Sequence, residues 1–273
     1  LGGAFAVYKI ASEKKNITVS TATAGNHGRS VAWGAQRLGL ECKIFISENV
    51  SESRAAAMRD LGADVIRVKG NYDNSLKECI EQSNKNKWEI VQDVSWEGYK
   101  EVPKLIMAGY TIMIKEILDE IDSNSITHVF LQAGVGGMAA AMIAGFAKLS
   151  KNIPKFIIIE PENADCVFKS IQNNKPTSID IKKETVMGGM SCGDVSSIAW
   201  EILKNSTNYC MTIPDNAIST AVALLAESRF SDEKIIGGEC AVPGLIALIG
   251  SFNNKEYLGK LELNSESNVL LFG

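Results

Sequence analysis

A chain of 273 residues is long enough to bury one large core or two smaller ones. Apolar residues make up 45% and charged residues 22%, and the formal net charge of −4 argues against non-specific nucleic-acid binding, which needs a basic face. No apolar run reaches the roughly 18 residues of a membrane span; the longest candidate, Met138 to Ala147, stops at Lys148.

Short β-rich runs alternate with helical patterns. "ITVST" (17–21) reads as a strand, followed by a helix through Gln36 that Gly39 closes. "CKIFI" (42–46) leads to a helix with Ser51 as N-cap and Gly62 past its end. "DVIRV" (64–68) precedes a helix near 73–84, and "WEIVQD" (88–93) is the next strand. One long helix then carries Ile106, Tyr110, Met113, Ile114, Ile117 and Ile121 at helical spacing. "THVFLQ" (127–132) enters a glycine turn and a helix. "KFIIIE" (155–160) is the continuous apolar run of a strand buried on both faces of a parallel sheet. A strand near 208–213, helices at 215–226 and 240–250 and a strand at 268–272 complete the pattern. Repeated β-then-α order with short loops predicts a doubly wound parallel α/β fold, whose ligands sit at the carboxyl ends of strands.

The six cysteines, Cys42, Cys79, Cys166, Cys192, Cys210 and Cys240, are scattered without a CxxC pair. They read as free thiols of a reduced cytoplasm. With His27 and His128 the only imidazoles, no metal site is expected.

Three glycine clusters stand out. In "LQAGVGGMAAA" (131–141), Gly134, Gly136 and Gly137 follow a strand and open a helix of small residues. Missing side chains let backbone N–H groups approach an anion, and the helix N-terminus adds a favourable partial charge. The spacing is neither a P-loop nor GxGxxG, because Ala139 holds the third glycine's place; a tight turn without a ligand explains the residues as well. "MGGMSCG" (187–193) and "GGECAVPG" (237–244) are further candidates for a ligand crevice or for plain loops. In "TATAGNHG" (21–28), Asn26 can donate and accept toward a ligand or cap the following helix. His27 reads as a site residue or as a packed core histidine.

"TAGNHGRSVAWGAQRLG" resembles the asparagine loop of fold-type II pyridoxal-phosphate enzymes, the threonine dehydratase and tryptophan synthase β superfamily. "NYDNS" (71–75), "WEIVQDVSWEGY" (88–99), "VPKLIMAGY" (102–110), "IIIEPENADC" (157–166), "MGGMSCG", "AWEILKN" (199–205) and "IIGGECAVPG" (235–244) narrow the resemblance to the diaminopropionate ammonia-lyase family, "QDVSWEGY" being the most specific. The resemblance implies two doubly wound parallel-sheet lobes with the cofactor site between them. Residues 15–102 would form the small lobe, and 1–14 with 103–273 the large one. It implies pyridoxal 5'-phosphate as cofactor, α,β-elimination of 2,3-diaminopropionate to pyruvate and ammonia, and a homodimer. Carried over by motif, Asn26 would bond the ring's 3-oxygen. Gly134, Val135, Gly136, Gly137 and Met138 would cradle the phosphate through their backbone N–H groups. Asp93 would transfer a proton at Cα or at the β-amino leaving group. A serine/threonine dehydratase of the same superfamily and a non-catalytic phosphate-binding α/β domain are the alternative readings.

Three departures from the family pattern accompany these matches. Leu1 is not an initiator methionine, and the chain reads as an internal portion of a longer protein. The family's cofactor-linking lysine is expected two residues before Leu1; Lys9, Lys14 and Lys15 do not match it, and without that lysine the 273 residues alone are not expected to catalyse. Ala24 stands where family members often carry an aspartate, as "TDGNHG". A hydroxyl-bearing segment for the pyridine nitrogen is expected beyond Gly273.

Overall fold

The computed structural model describes residues 1–23, 25–230 and 233–273, so Ala24 lies outside the described residues. The chain divides into two units, Leu1–Ile112 and Met113–Gly273.

In the first unit, α1 (Gly2–Glu13) precedes β1 (Thr18–Ala22), α2 (Asn26–Leu38), β2 (Glu41–Ser47), α3 (Glu52–Arg59), β3 (Asp64–Val68), α4 (Tyr72–Asn86), β4 (Glu89–Ile90) and α5 (Glu101–Tyr110). The strands form one parallel sheet in the order β3-β2-β1-β4, with Thr18 opposite Glu41 and Lys43 opposite Asp64. Val19, Val31, Ile44, Ile46, Met58 and Ile106 form its core. α1 was not legible as a helix. It packs against α2 and α5, at glycines that admit backbone contact: a Cβ on Gly34 would come within 2.9 Å of Ala4 Cα, and one on Gly2 within 2.6 Å of the Ile106 carbonyl. Residues 1–14 and 103–112, expected with the larger lobe, therefore fall in this compact unit.

Two elements differ from expectation here. The strand read at 88–93 is only two residues long as a ladder, Val19 pairing with Glu89 and Ser20 with Ile90. Beyond it the Gln92 side chain replaces the strand: Oε1 accepts from Ala22 N–H at 2.9 Å, and Nε2 donates to the Ala22 carbonyl at 3.0 Å. A primary amide offers the same donor and acceptor as a peptide group, so the ladder's bonds continue without its backbone. The long helix read across 106–121 breaks at Thr111. Its hydroxyl donates to the Ala108 carbonyl at 2.7 Å and its N–H to the same oxygen at 3.2 Å, tightening the turn that ends α5.

The second unit begins in α6 (Ile112–Glu120) and continues through β5 (His128–Gln132), α7 (Gly137–Leu149), β6 (Lys155–Pro161), α8 (Cys166–Asn173), α9 (Ser197–Ser206), β7 (Tyr209–Ile213), α10 (Ile218–Ala226), α11 (Pro243–Phe252), α12 (Lys255–Leu261) and β8 (Val269–Leu271). Its strands are parallel in the order β7-β6-β5-β8. β6 is buried from Phe156 to Pro161, as its unbroken apolar run implies. Phe130, Ile157, Ile159, Met187, Ile213 and Val242 anchor the core. α11 starts at Pro243, which occupies the first helical turn where a missing N–H costs nothing. Among the described residues, no helix is long and apolar enough to cross a membrane.

Candidate active site

The first unit places Asn26, His27 and Asp93 at the carboxyl ends of β1 and β4. β1 ends at Ala22, and the Thr23 hydroxyl turns back to accept from Gly25 N–H (3.1 Å) and Gly28 N–H (3.3 Å). Thr23 thus takes the capping role for which Asn26 was a candidate. Gly25 is the N-cap of α2, and Asn26 is its exposed first residue. Gly28 allows the close approach: a Cβ there would lie 2.4 Å from Thr23 Cγ2 and 2.6 Å from Met58 Sδ.

Adjacent His27 is buried, and its Nε2 lies 2.8 Å from the Val91 carbonyl. A carbonyl oxygen only accepts, so Nε2 donates, and in the neutral ring Nδ1 is the acceptor. That Nδ1 has no hydrogen-bond partner among the described residues, and it sits 4.0 Å from Asp93 Oδ2. Asp93 is itself held. Its Oδ1 accepts from Gln92 Nε2 at 3.1 Å, and Gln92 also bonds the Thr21 and Tyr72 hydroxyls at 2.8 and 2.7 Å.

The "QDVSWEGY" segment folds back on this strand end. Trp96 and Tyr99 form an isolated antiparallel bridge and stack with ring centroids 4.1 Å apart. The Tyr99 hydroxyl donates to the Ile90 carbonyl at 2.8 Å and accepts from Gln92 N–H at 2.8 Å. Burial pushes the Tyr99 phenol well above its usual value, with the Asp93 carboxylate adding to the rise, so it acts as a neutral clamp. Thr23, Gln92 and Tyr99 were not singled out from the sequence. The available signal was an amide inside an apolar strand run, "EIVQD".

The second unit holds Gly134 to Met138 at the carboxyl end of β5. Gly136, at φ +85°, is the N-cap of α7, a backbone conformation that favours glycine. No side chain caps α7, and its first turn carries no acidic residue. The leading N–H groups of a helix have no intrahelical acceptor, so this end presents donors and positive partial charge to an anion. A Cβ on Gly134 would meet the Gly189 carbonyl at 2.9 Å and Cys192 Sγ at 3.1 Å. The "MGGMSCG" segment therefore packs directly on the turn. Val135 accepts from Ser196 N–H at 2.9 Å, tying the turn to the residue before α9. A cofactor phosphate fits this cradle, because its donors are backbone groups and no carboxylate competes for them in the first turn.

Behind the turn, buried Glu160 accepts from Val167 N–H (2.9 Å) and Phe168 N–H (2.7 Å) at the start of α8. Burial pushes its carboxyl up to about 8, against the pull of those two donors. No role was read for it in the sequence.

The family model "Pyridoxal-phosphate dependent enzyme" matches residues 1–269. The diaminopropionate ammonia-lyase of Escherichia coli K12 is 32% identical over 99% of this chain and 74% of its own length. A crystal structure of the holo form of diaminopropionate ammonia lyase from Escherichia coli superposes with a TM-score of 0.90 at 31% identity, covering 98% of this chain and 74% of that one. The biosynthetic L-threonine dehydratase of Pasteurella multocida is 26% identical over 99% of this chain and 54% of its own length.

Proposed function

The chain belongs to the family of pyridoxal-phosphate-dependent enzymes, in its diaminopropionate ammonia-lyase branch, and from that premise we propose that it eliminates ammonia from 2,3-diaminopropionate to yield pyruvate. One observation supports the reading above others. Asp93, in the segment "QDVSWEGY", is fixed by Gln92 at the strand end where Asn26 opens α2.

When bound, pyridoxal phosphate supplies the conjugated ring that stabilises the negative charge left at Cα on loss of its proton. The chain's own residues would do the rest. Backbone N–H groups of Gly134, Val135, Gly136, Gly137 and Met138 would hold the phosphate. The Asn26 amide would bond the ring's 3-oxygen, and Asp93 would move a proton at Cα or at the β-amino group. A carboxylate suits a substrate with two amino groups, and proton transfer by such a positioned group contributes roughly 10²–10⁴-fold to rate. In this reading the enzyme is a cytoplasmic homodimer. The resemblance supports the assembly, and the absence of a disulfide among the described residues supports the compartment.

The test is direct. The full-length protein, loaded with pyridoxal phosphate, is offered each stereoisomer of 2,3-diaminopropionate, and pyruvate is assayed. Pyruvate from either stereoisomer is the expected result. Turnover of serine or threonine with none from diaminopropionate overturns it in favour of the dehydratase reading, which the threonine dehydratase similarity favours. Pyridoxal phosphate binding without turnover of any of these amino acids leaves a binding domain.

A further inference from the structure

The two histidines of the chain are both buried, and they differ in one respect. His128 has both ring nitrogens engaged: Nε2 lies 2.8 Å from the Leu261 carbonyl and Nδ1 2.7 Å from the Thr127 hydroxyl. His27 has Nε2 engaged with Val91, and among the described residues its Nδ1 has no partner. A buried polar atom without a partner costs on the order of 1–3 kcal/mol, so a histidine serving only the core would be expected to resemble His128. Nδ1 of His27 faces Asp93 Oδ2 at 4.0 Å.

We infer that His27 is a positioning residue that holds, together with Asp93, the proton passed to the departing β-amino group, an inference that rests on the ammonia-lyase reading. The Val91 carbonyl fixes a proton on Nε2, so in the neutral ring Nδ1 is the acceptor, 4.0 Å from Asp93 Oδ2. Two acceptors facing each other are bonded by one added proton. Its binding meets the orphaned nitrogen's demand and keeps the proton beside the carboxyl. The gap exceeds a direct hydrogen bond by about 1 Å, and catalytic hydrogen bonds are commonly long until substrate closes the site.

The step begins once the Cα proton has passed to the base that removes it, and balances with the shared proton as its acid. The proton leaves Asp93 Oδ2 for the β-nitrogen as the Cβ–N bond breaks, with both bonding electrons going to nitrogen, so ammonia departs. The electron pair left at Cα by loss of its proton forms the double bond to Cβ. Asp93 remains a carboxylate, and His27 remains neutral with its proton on Nε2.

The test uses the holoenzyme with its histidines labelled by ¹⁵N. His128 serves as an internal reference, and His27→Gln assigns the signals. With Asp93 present, the His27 Nδ1 resonance is expected displaced from the bare-nitrogen position toward the protonated one, and Asp93→Ala returns it to the bare position. His27→Gln is expected to lower kcat on 2,3-diaminopropionate by roughly 10- to 100-fold, with KM changed less than about threefold. An identical Nδ1 resonance in wild type and Asp93→Ala overturns the inference whatever the kinetics. A displaced resonance with unchanged kcat in His27→Gln overturns the proton-holding role. Asp93→Ala alters a partly exposed side chain, and where His27→Gln fails to fold, His128→Gln assigns the His27 signals by elimination, so the spectroscopic arm stands. Absence of pyruvate from the wild type would defeat the ammonia-lyase reading and leave the resonance to decide whether the pair exists.

Discussion

Gln92 bonds Ala22 as a neighbouring strand would, accepting from its N–H at 2.9 Å and donating to its carbonyl at 3.0 Å. One side chain thereby closes the edge of the first sheet and carries Asp93 on its next residue. Gln92→Ala leaves both Ala22 groups and two hydroxyls without this partner. A loss of about 2–4 kcal/mol is expected, read as a lower urea midpoint with unchanged slope. Gln92→Glu keeps the acceptor but sets a buried carboxyl against the Ala22 carbonyl and the Asp93 carboxylate, so it should be at least as destabilising as Gln92→Ala.

The Gly134 turn leaves no room for a side chain. In Gly134→Ala the added methyl meets a backbone carbonyl at 2.9 Å, which cannot swing aside as a side chain would. Pyridoxal phosphate affinity, followed by absorbance titration, is expected to fall by at least about tenfold. Gly250→Ala is the matched control, since its Cβ meets nothing within 4 Å inside α11. That variant should keep its cofactor affinity and gain up to about 1 kcal/mol of stability from helix propensity.

Glu160 predicts a pH dependence of stability with a definite sign. Burial raises its folded carboxyl to about 8, well above the usual carboxylate range. Its stabilising contribution is therefore complete below the unfolded value and is lost as pH rises through the folded one. Between pH 5 and 8 the wild type should lose stability on the order of a few kcal/mol relative to Glu160→Gln, whose side chain does not titrate. The readout is the difference in slope from urea melts at several pH values. Parallel slopes would show that the two backbone donors keep the carboxylate charged throughout.

Thiol reactivity should divide by burial. Burial pushes Cys42 and Cys210 up to about 12 and Cys79 up to about 11, and raises Cys166 further still. A thiol reacts as its thiolate, so at pH 8 buried Cys42, Cys79 and Cys166 are expected to resist iodoacetamide until the protein unfolds, and half-buried Cys210 to react slowly. Cys192 and Cys240 are half-buried and should be labelled first. Peptide mass spectrometry resolves the order, and early labelling of Cys42 or Cys79 would contradict it.

The sequence made some of this legible and hid the rest for identifiable reasons. β1, β2, β3, β5 and β6 were readable because each is a run of apolar or β-branched residues closed by a turn. β4 was over-extended because Gln92 continues the bonding through a side chain, which no periodicity registers. The helix break at Thr111 was hidden because the apolar spacing runs on across it, while the break depends on one hydroxyl returning to Ala108. α1 was missed because "GGAFA" opens with poor helix formers that the packing against α2 and α5 tolerates. At the candidate site, Asn26, Asp93 and the Gly134 to Met138 turn were singled out by motif. Thr23, Gln92 and Tyr99 were not, because their roles are bonds to backbone groups distant in sequence.

The contact between Gly134 and the segment at Gly189 and Cys192 has a consequence for how such a chain can change over time. The two stretches lie more than fifty positions apart, yet position 134 cannot enlarge while the 189–192 segment stays as it is. A lineage that acquires a bulkier residue at 134 must first, or at once, reshape the loop at 189–192. Drift at 134 is thus gated by drift at 189–192, and libraries that randomise both together should recover folded variants that libraries at 134 alone miss.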